Sequence, residues 1–153
     1  MRSFVLYLFL IAALPSTLGR TPALASDDEA IGRIKTSVGE AFLVNGAARR
    51  PAEVGALVRR SDVIETGRDG AVGLTLTDNS ILSAGPNSQL SISNYKFNSA
   101  AFNGSMKARL NRGTLAVTSG DIARGSPEAM QVETPTAILG VRGTTFLVRA
   151  GQD

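Results

Sequence analysis

Residues 71–92, AVGLTLTDNSILSAGPNSQLSI, decide the fold class of this chain. Aliphatic side chains at positions 72, 74 and 76 alternate with small or polar ones at 73, 75 and 77. Because successive side chains of a β-strand point to opposite faces, this spacing predicts a strand with one buried face. The runs Asp78-Asn79 and Gly85-Pro86-Asn87-Ser88 have the composition of turns, and Leu90 and Ile92 resume the buried face.

The same rhythm of short alternating segments extends in both directions from this stretch. Upstream, residues 34–38 and 40–44 are predicted strands, and Asn45-Gly46 predicts a hairpin because both residues tolerate positive φ. Downstream, the alternation returns around Leu115, Val132 and Phe146. Turn residues recur about every 8 to 12 residues, and no window has the three-and-four spacing of a long helix. We therefore predict an all-β fold of short strands, either a β-solenoid-like unit or a twisted β-roll or sandwich, between which the pattern does not choose.

Residues 95–105 interrupt this rhythm. They are rich in Asn, Ser and Gly, and they contain Phe97 and Phe102. This composition predicts a longer surface loop that is anchored by two aromatic rings.

The first 25 residues have the pattern of a cleavable signal peptide, which we expect to be helical. Arg2 is followed by an apolar run over residues 4–14, and Ala23-Leu24-Ala25 places small residues before a cleavage site. The apolar run is shorter than the roughly 20 residues that cross a bilayer, which favours a signal peptide over a membrane anchor. We expect cleavage after Ala25, a flexible acidic tail over residues 26–31, and one β domain over residues 32–150. The mature protein would be periplasmic or secreted, with no transmembrane segment.

The charge balance argues against nucleic acid as a partner. The whole chain has 16 basic and 13 acidic residues, a formal net charge of +3. Arg2 and Arg20 lie in the predicted signal peptide, so the mature chain would carry a net charge of only +1. A nearly neutral protein has little long-range field with which to attract a polyanion.

The sequence also excludes most kinds of catalytic centre. It contains no histidine and no cysteine, and therefore no imidazole base, no thiolate nucleophile and no nitrogen- or sulfur-rich zinc site. The carboxylate pairs Asp62 with Glu65 and Glu128 with Glu133 lack the surrounding aromatic residues of a sugar-binding site. We expect no enzyme activity, no cofactor and no metal.

The order of motifs along the chain resembles the FecR domain family, whose best-known members act in bacterial iron-uptake signalling. The resemblance rests on Gly32-Arg33-Ile34, Val38-Gly39-Glu40-Ala41, residues 62–67, residues 74–88, Val132, residues 134–137 and the ending at residues 140–148. Ser61 and Asn79 stand where the family usually has Gly. The resemblance implies a periplasmic β domain over residues 32–150. The cytoplasmic segment and transmembrane helix of the signalling members are not recognised here, so a direct anti-sigma role is not expected.

The most family-specific motif gives the candidate partner-binding or structural residues. These are Thr134, Pro135, Gly140, Arg142, Gly143 and Thr144. We expect the guanidinium of Arg142 to fix a tight glycine corner, with a role as partner anchor as the alternative.

Two functional hypotheses follow. The first is a non-catalytic envelope module that binds or senses a protein partner through a free sheet edge or its glycine-rich corners. The alternative is a receptor for a small ligand or glycan that uses Tyr95, Phe97 and Phe102 together with nearby arginines. The pairs Arg49-Arg50 and Arg59-Arg60 would form either a basic face or solvated rim charges.

Overall fold

A computed structural model describes residues 29–141, 143 and 145–151 of the chain. The predicted signal peptide and its cleavage site lie outside the described residues. The described strands are β1 (Ala30–Val38), β2 (Ala41–Asn45), β3 (Ala48–Pro51), β4 (Leu57–Arg59), β5 (Val63–Thr66), β6 (Ala71–Leu76), β7 (Ile81–Ala84), β8 (Gln89–Asn98), β9 (Asn103–Thr118), β10 (Met130–Glu133), β11 (Ile138–Gly140) and β12 (Thr145–Ala150). A short helix α1 (Asp121–Gly125) and a 3-10 turn (Pro127–Ala129) join β9 to β10.

The strands form one curled sheet, which confirms the predicted all-β class. The main path runs β3-β2-β5-β8-β9-β7-β6-β1-β4, with β10 and β12 also paired to β9, and β11 paired to β10. Every pairing is antiparallel except that of β9 with β10. Because a parallel β-helix stacks its coils through parallel pairs, this pairing corresponds to a curled roll.

The buried residues lie inside this curl. The predicted alternation over residues 72–76 is confirmed, since Val72, Leu74 and Leu76 are all buried. The fully buried large side chains are Ile31, Ile34, Leu43, Ile64, Leu74, Leu82, Leu90, Ile92, Met106, Leu110, Leu115 and Ile122. They come from most of the strands, so the sheet closes around one hydrophobic core.

Strand β9 connects the two halves of the curl. Its residues 103–112 pair with β8, and its residues 115–118 pair with β7. The pairing with β8 shifts register at Asn111, and Gly113 has a φ of +91°. The buried positions are 106, 108 and 110 before this point and 115 and 117 after it. The register shift and the glycine therefore bend β9 and change which of its alternate residues face the core.

Three sequence expectations need correction. Residues 95–105 are not a surface loop but the far end of the β8–β9 hairpin, and Phe102 is 62% exposed with a φ of +50° instead of anchoring the segment. Residues 30 and 31, which were expected to end the acidic tail over residues 26–31, instead belong to β1, and Ile31 is buried. The hairpin turn between β2 and β3 is Gly46-Ala47, since Asn45 still pairs with Ala48.

The turn asparagines behave as the sequence predicts. Asn79 and Asn87 have φ values of +63° and +51°, the left-handed region in which Asn is well tolerated. In the part of the chain that the structure describes, no helix is long and apolar enough to span a membrane.

Candidate functional site

The edges of the sheet differ in how well they are protected from pairing with another strand. The edge strand β3 carries Arg49, Arg50 and Pro51, and charges and proline are features that discourage further pairing. The edge strands β4 and β11 have only three residues each. Strand β12 has six residues, contains no proline, and carries one charge, Arg149, next to its end. It is therefore a weakly protected edge, and it is longer than the edge strands β3, β4 and β11.

Strand β12 is firmly attached on its other side. It pairs in continuous register with β9 from Thr145↔Thr118 to Ala150↔Gly113, and Val148 is buried in the core. Leu147 points the other way and is 72% exposed. Among the described residues, β12 pairs only with β9. Its free side, which we call the C-terminal edge (Thr145–Ala150), presents unpaired backbone groups on a rigid strand.

Strands β10 and β12 pair with the same side of β9, and a short gap separates them. Residues 81–98 run antiparallel to β9 along one side through β7, the Gly85–Ser88 turn and β8. Strands β10 and β12 occupy the other side, where β10 pairs with residues 106–109 and β12 with residues 113–118. Residues 110–112 have no strand partner on this side within the described chain. Arg112 thus lies on the paired side of β12, just past the end of that strand.

Two arginines line a cleft at this gap. Arg112 and Arg149 border a cleft of about 280 Å³ whose other walls include Pro86, Asn87 and Thr114. We call this the arginine cleft. Both arginines are exposed, and no carboxylate lines the cleft among the described residues. The sequence did not predict this pair, because Arg112 and Arg149 come together only through the pairing of β12 with β9.

A neighbouring ion cluster lies on the other side of the gap. The carboxylate of Glu133 accepts from Arg109 Nη2 at 3.1 Å and lies 3.3 Å from Lys107 Nζ. The hydrogen bond from Lys107 and the contact with Arg109 lower the pKa of Glu133 below its usual value. The single carboxylate of this cluster is therefore already held by two cations.

The described residues of the predicted partner motif lie at separate points around β11. Thr134 closes the β10–β11 turn, where its Oγ1 accepts from the Ala137 N–H at 3.0 Å, and Pro135 is exposed in the same turn. Gly140 ends β11, and Gly143 has a φ of +36° in the connection to β12. Arg142 and Thr144 lie outside the described residues, so the role predicted for the Arg142 guanidinium stays a prediction. The described members of the motif flank the exposed strand β11.

A larger cavity involves two of the three aromatic residues in the alternative hypothesis. Tyr95 and Phe97 line a cavity of about 570 Å³ together with Arg60 and Lys96. Phe102 is not among its lining residues. The Nε atom of Arg60 is buried there without a hydrogen-bond partner, while its Nη2 contacts Glu29 at 3.1 Å.

The hydroxyl of Tyr95 is committed to the fold. It lies 2.8 Å from Thr77 Oγ1, accepts from the Asp78 N–H at 2.9 Å, and donates to Asp78 Oδ1 at 3.1 Å. Burial raises the pKa of the Tyr95 phenol well above its usual range, and the Asp78 carboxylate adds to this effect. Asp78 also accepts from the hydroxyl of Ser80 at 2.7 Å. This buried network ties the β6–β7 turn to β8.

Three of the four carboxylates considered as possible acid–base pairs, Asp62, Glu65 and Glu133, are engaged in structural contacts. Asp62 is 2% exposed and accepts from Arg50 at 2.6 Å and from the Arg59 N–H at 2.9 Å. Glu65 accepts from the amide of Gln89 at 2.9 Å. Over residues 29–141, 143 and 145–151, no group of three or more acidic side chains is arranged as a metal site.

The two arginine pairs do not act as one basic face. The Arg50 guanidinium is bound to Asp62, and that of Arg49 lies 3.6 Å from the centre of the Phe42 ring. Arg60 contacts Glu29. The arginines of this region are thus individually occupied by neighbouring groups of the chain.

Comparison with known proteins gives one match. A protein-family model described as FecR protein matches residues 62–153, more than half of the chain. The match begins at Asp62, so the motifs around Gly32 and Val38 lie before it. No curated protein and no solved structure matches the chain.

Proposed function

Because the chain belongs to the FecR protein family, we propose that it is a non-catalytic binding module of the cell envelope that takes part in signalling or assembly by recognising a protein partner. The observation that carries this proposal is the C-terminal edge, an unprotected strand on a rigid sheet. A partner would add an extended segment to β12 and complete its free N–H and C=O groups.

The fold supports this mode of binding better than it supports catalysis. The partner would gain main-chain hydrogen bonds from β12 and a side-chain contact with Leu147, which is 72% exposed. The continuous pairing of β12 with β9 holds the edge in an extended conformation, which reduces the entropy lost on binding. The carboxylates near the sheet are used in contacts that stabilise the fold.

Export supports the same proposal and has its own experimental check. The N-terminal 25 residues carry the sequence pattern of a signal peptide, and we infer a periplasmic or secreted mature protein. Mass spectrometry of the protein purified from the envelope should find an N-terminus at Ser26. An intact chain recovered from the cytosol would contradict the assigned location.

The binding mode is tested by substitutions at Leu147. Leu147→Pro removes a backbone donor from β12, and Leu147→Lys places a charge on the edge, both of which discourage strand addition. Leu147→Thr is the matched control because it keeps the backbone donor and the β-propensity of the position. In a pull-down from an envelope extract, wild type and Leu147→Thr should capture the same partner, and the other two variants should not.

Circular dichroism separates loss of binding from loss of the fold. The Lys variant should keep the wild-type β-sheet spectrum, since the side chain at this position faces solvent. Equal capture by wild type and by folded Leu147→Lys and Leu147→Pro variants would discard strand addition at β12.

A second candidate function is supported by the cavity beside Tyr95. Its volume of about 570 Å³ lies in the range of small-ligand sites, and the charges that line it are those of Arg60, its ion-pair partner Glu29, and Lys96. A small anionic ligand or glycan would then bind between the aromatic and basic side chains. Thermal shift with cell-wall fragments and iron chelates tests this function, with Arg60→Gln as the variant expected to lose the shift. No shift with any of these ligands would count against it.

A further inference from the structure

We propose that the partner segment that pairs with the C-terminal edge is acidic and places a carboxylate in the arginine cleft. This inference rests on the proposed function, because it assigns a chemistry to the segment that β12 would receive. It adds a second point of recognition, since strand pairing alone uses backbone groups and carries little sequence information.

The arginine cleft lies beside the end of the C-terminal edge. Arg149 belongs to β12 and pairs in register with Thr114, and Arg112 directly precedes Gly113, the partner of Ala150. The backbone of Gly151 passes close to Arg112, since a Cβ added at Gly151 would lie 3.5 Å from the Cβ of Arg112. A segment on the free side of β12 therefore lies next to Arg149, and it reaches Arg112 in the shared cleft where it passes around the end of the strand.

Cations outnumber carboxylates around the cleft among the described residues. Four cations lie along β9 and the adjacent β12, namely Lys107, Arg109, Arg112 and Arg149. Among the described residues, Glu133 is the one carboxylate paired with any of them, and it binds Lys107 and Arg109. Glu65 is in register with Gln89, which lies opposite Arg112, but its carboxylate accepts from the Gln89 amide. The described chain thus offers no carboxylate to Arg112 or Arg149.

The shape of the two guanidinium groups suits a carboxylate ligand. Each guanidinium is planar and presents paired N–H groups that match the two oxygens of a carboxylate. A cleft of about 280 Å³ accommodates such a group, and it lies just below the usual size of sites for whole small-molecule ligands. The carboxylate can come from an Asp or Glu side chain or from the C-terminus of the partner.

A displayed library of random octapeptides tests the proposal on the purified protein. Selections are run in parallel on wild type, Arg112→Gln/Arg149→Gln, Leu147→Lys, and Lys35→Gln as a control for loss of an exposed cation on the distant strand β1. Wild type and Lys35→Gln should enrich peptides with an acidic residue near one end. Selection on Arg112→Gln/Arg149→Gln should enrich peptides that have no preference for an acidic residue. Selection on Leu147→Lys should enrich neither kind of peptide.

Synthetic peptides then measure the contribution of the carboxylate. An enriched peptide with an amidated C-terminus is compared with its Glu→Gln or Asp→Asn analogue and with a free-acid form of that analogue. We expect the neutral analogue to bind about fivefold more weakly, the size expected of one exposed ion pair, and the free acid to recover binding only where its terminus reaches the cleft. Higher salt should reduce this difference.

The outcomes separate the two proposals. Peptides that depend on Leu147 but show no acidic preference, or keep it in Arg112→Gln/Arg149→Gln, would overturn the acidic partner and leave strand addition intact. No peptide sensitive to Leu147→Lys would overturn strand addition, and the acidic partner with it.

Discussion

Gly113 is the residue on which the path of β9 depends. Its φ is +91°, and a Cβ added there would lie 2.5 Å from Ser88 Cα and 2.7 Å from Ser88 Cβ. Ser88 Oγ accepts from the Thr114 N–H at 3.0 Å and lies 3.1 Å from the Thr114 carbonyl. The buried serine thus satisfies the backbone at the bend, and the glycine leaves room for it.

Replacing this glycine should therefore be costly. We expect Gly113→Ala to lower the free energy of unfolding by about 2 to 5 kcal/mol, since it combines backbone strain with a clash against Ser88. Gly140→Ala is the control, because an added Cβ there meets nothing within 4 Å, and its effect should stay within about 0.5 kcal/mol. Urea denaturation measures both variants. Equal stability of Gly113→Ala and wild type would mean that β9 does not need this bend.

Glu133 should make the free energy of unfolding depend on pH in the acid range. Lys107 and Arg109 lower its pKa in the folded state, so the carboxylate contributes stability above its ordinary value of 4.5 and loses it as the pH falls through the lowered pKa. We expect Glu133→Gln to be less stable than wild type at pH 7 and to converge with it below pH 4.5.

The matching control for this acid dependence is Glu128→Gln, at an exposed position with no ion pair among the described contacts. Urea denaturation across the acid range should show no such convergence for it. A constant gap between Glu133→Gln and wild type at every pH would show that the ion cluster contributes nothing through charge.

At the scale of elements, the sequence predicts best what is local. The alternation of β6 and the turns at Asn79 and Asn87 are set by neighbouring residues, and the structure has them as predicted. The far end of the β8–β9 hairpin was not predicted, because few of its side chains reach the core and the Asn- and Ser-rich composition resembles a loop. The change in alternation within β9 also obscured how far that strand extends.

The candidate site was less predictable than the fold. The quoted motif around Thr134 and Gly143 lies beside β11 and before β12, and its role as a binding site stays a prediction. The arginine cleft had no local signal, since Arg112 and Arg149 belong to strands that meet only in the folded sheet.

Hydrogen exchange should distinguish β12 from β9. Residues 115–118 of β9 are flanked by β7 on one side and β12 on the other, whereas β12 has one neighbour among the described strands. In an antiparallel edge strand alternate amides face outward, so we expect fast and slow exchange to alternate along β12 and slow exchange throughout residues 115–118. Amide exchange followed by NMR measures this. Uniformly slow exchange in β12 would indicate that the edge is already covered in solution, which would remove the proposed binding site.

At the scale of the whole molecule, the distribution of charge matters more than its sum. The expected mature chain is close to neutral, which argues against long-range attraction of polyanions. In the part of the chain that the structure describes, four cations on β9 and β12 lie beside the one carboxylate of Glu133. A nearly neutral protein can therefore still select an acidic segment at short range, where the partner is held by the edge and the charges lie within reach.

The pairing of β9 with four other strands also predicts how the molecule unfolds. Strand β9 pairs with β7, β8, β10 and β12, so it cannot leave one part of the sheet without disturbing the others. Tyr95 is buried on β8 and is the only tyrosine after Tyr7, which makes its fluorescence a probe of the core in the mature protein. We expect the urea midpoint from Tyr95 fluorescence to coincide with that from far-ultraviolet circular dichroism, as in a two-state transition. Two separate midpoints would mean that the halves of the sheet unfold independently and that β9 does not couple them.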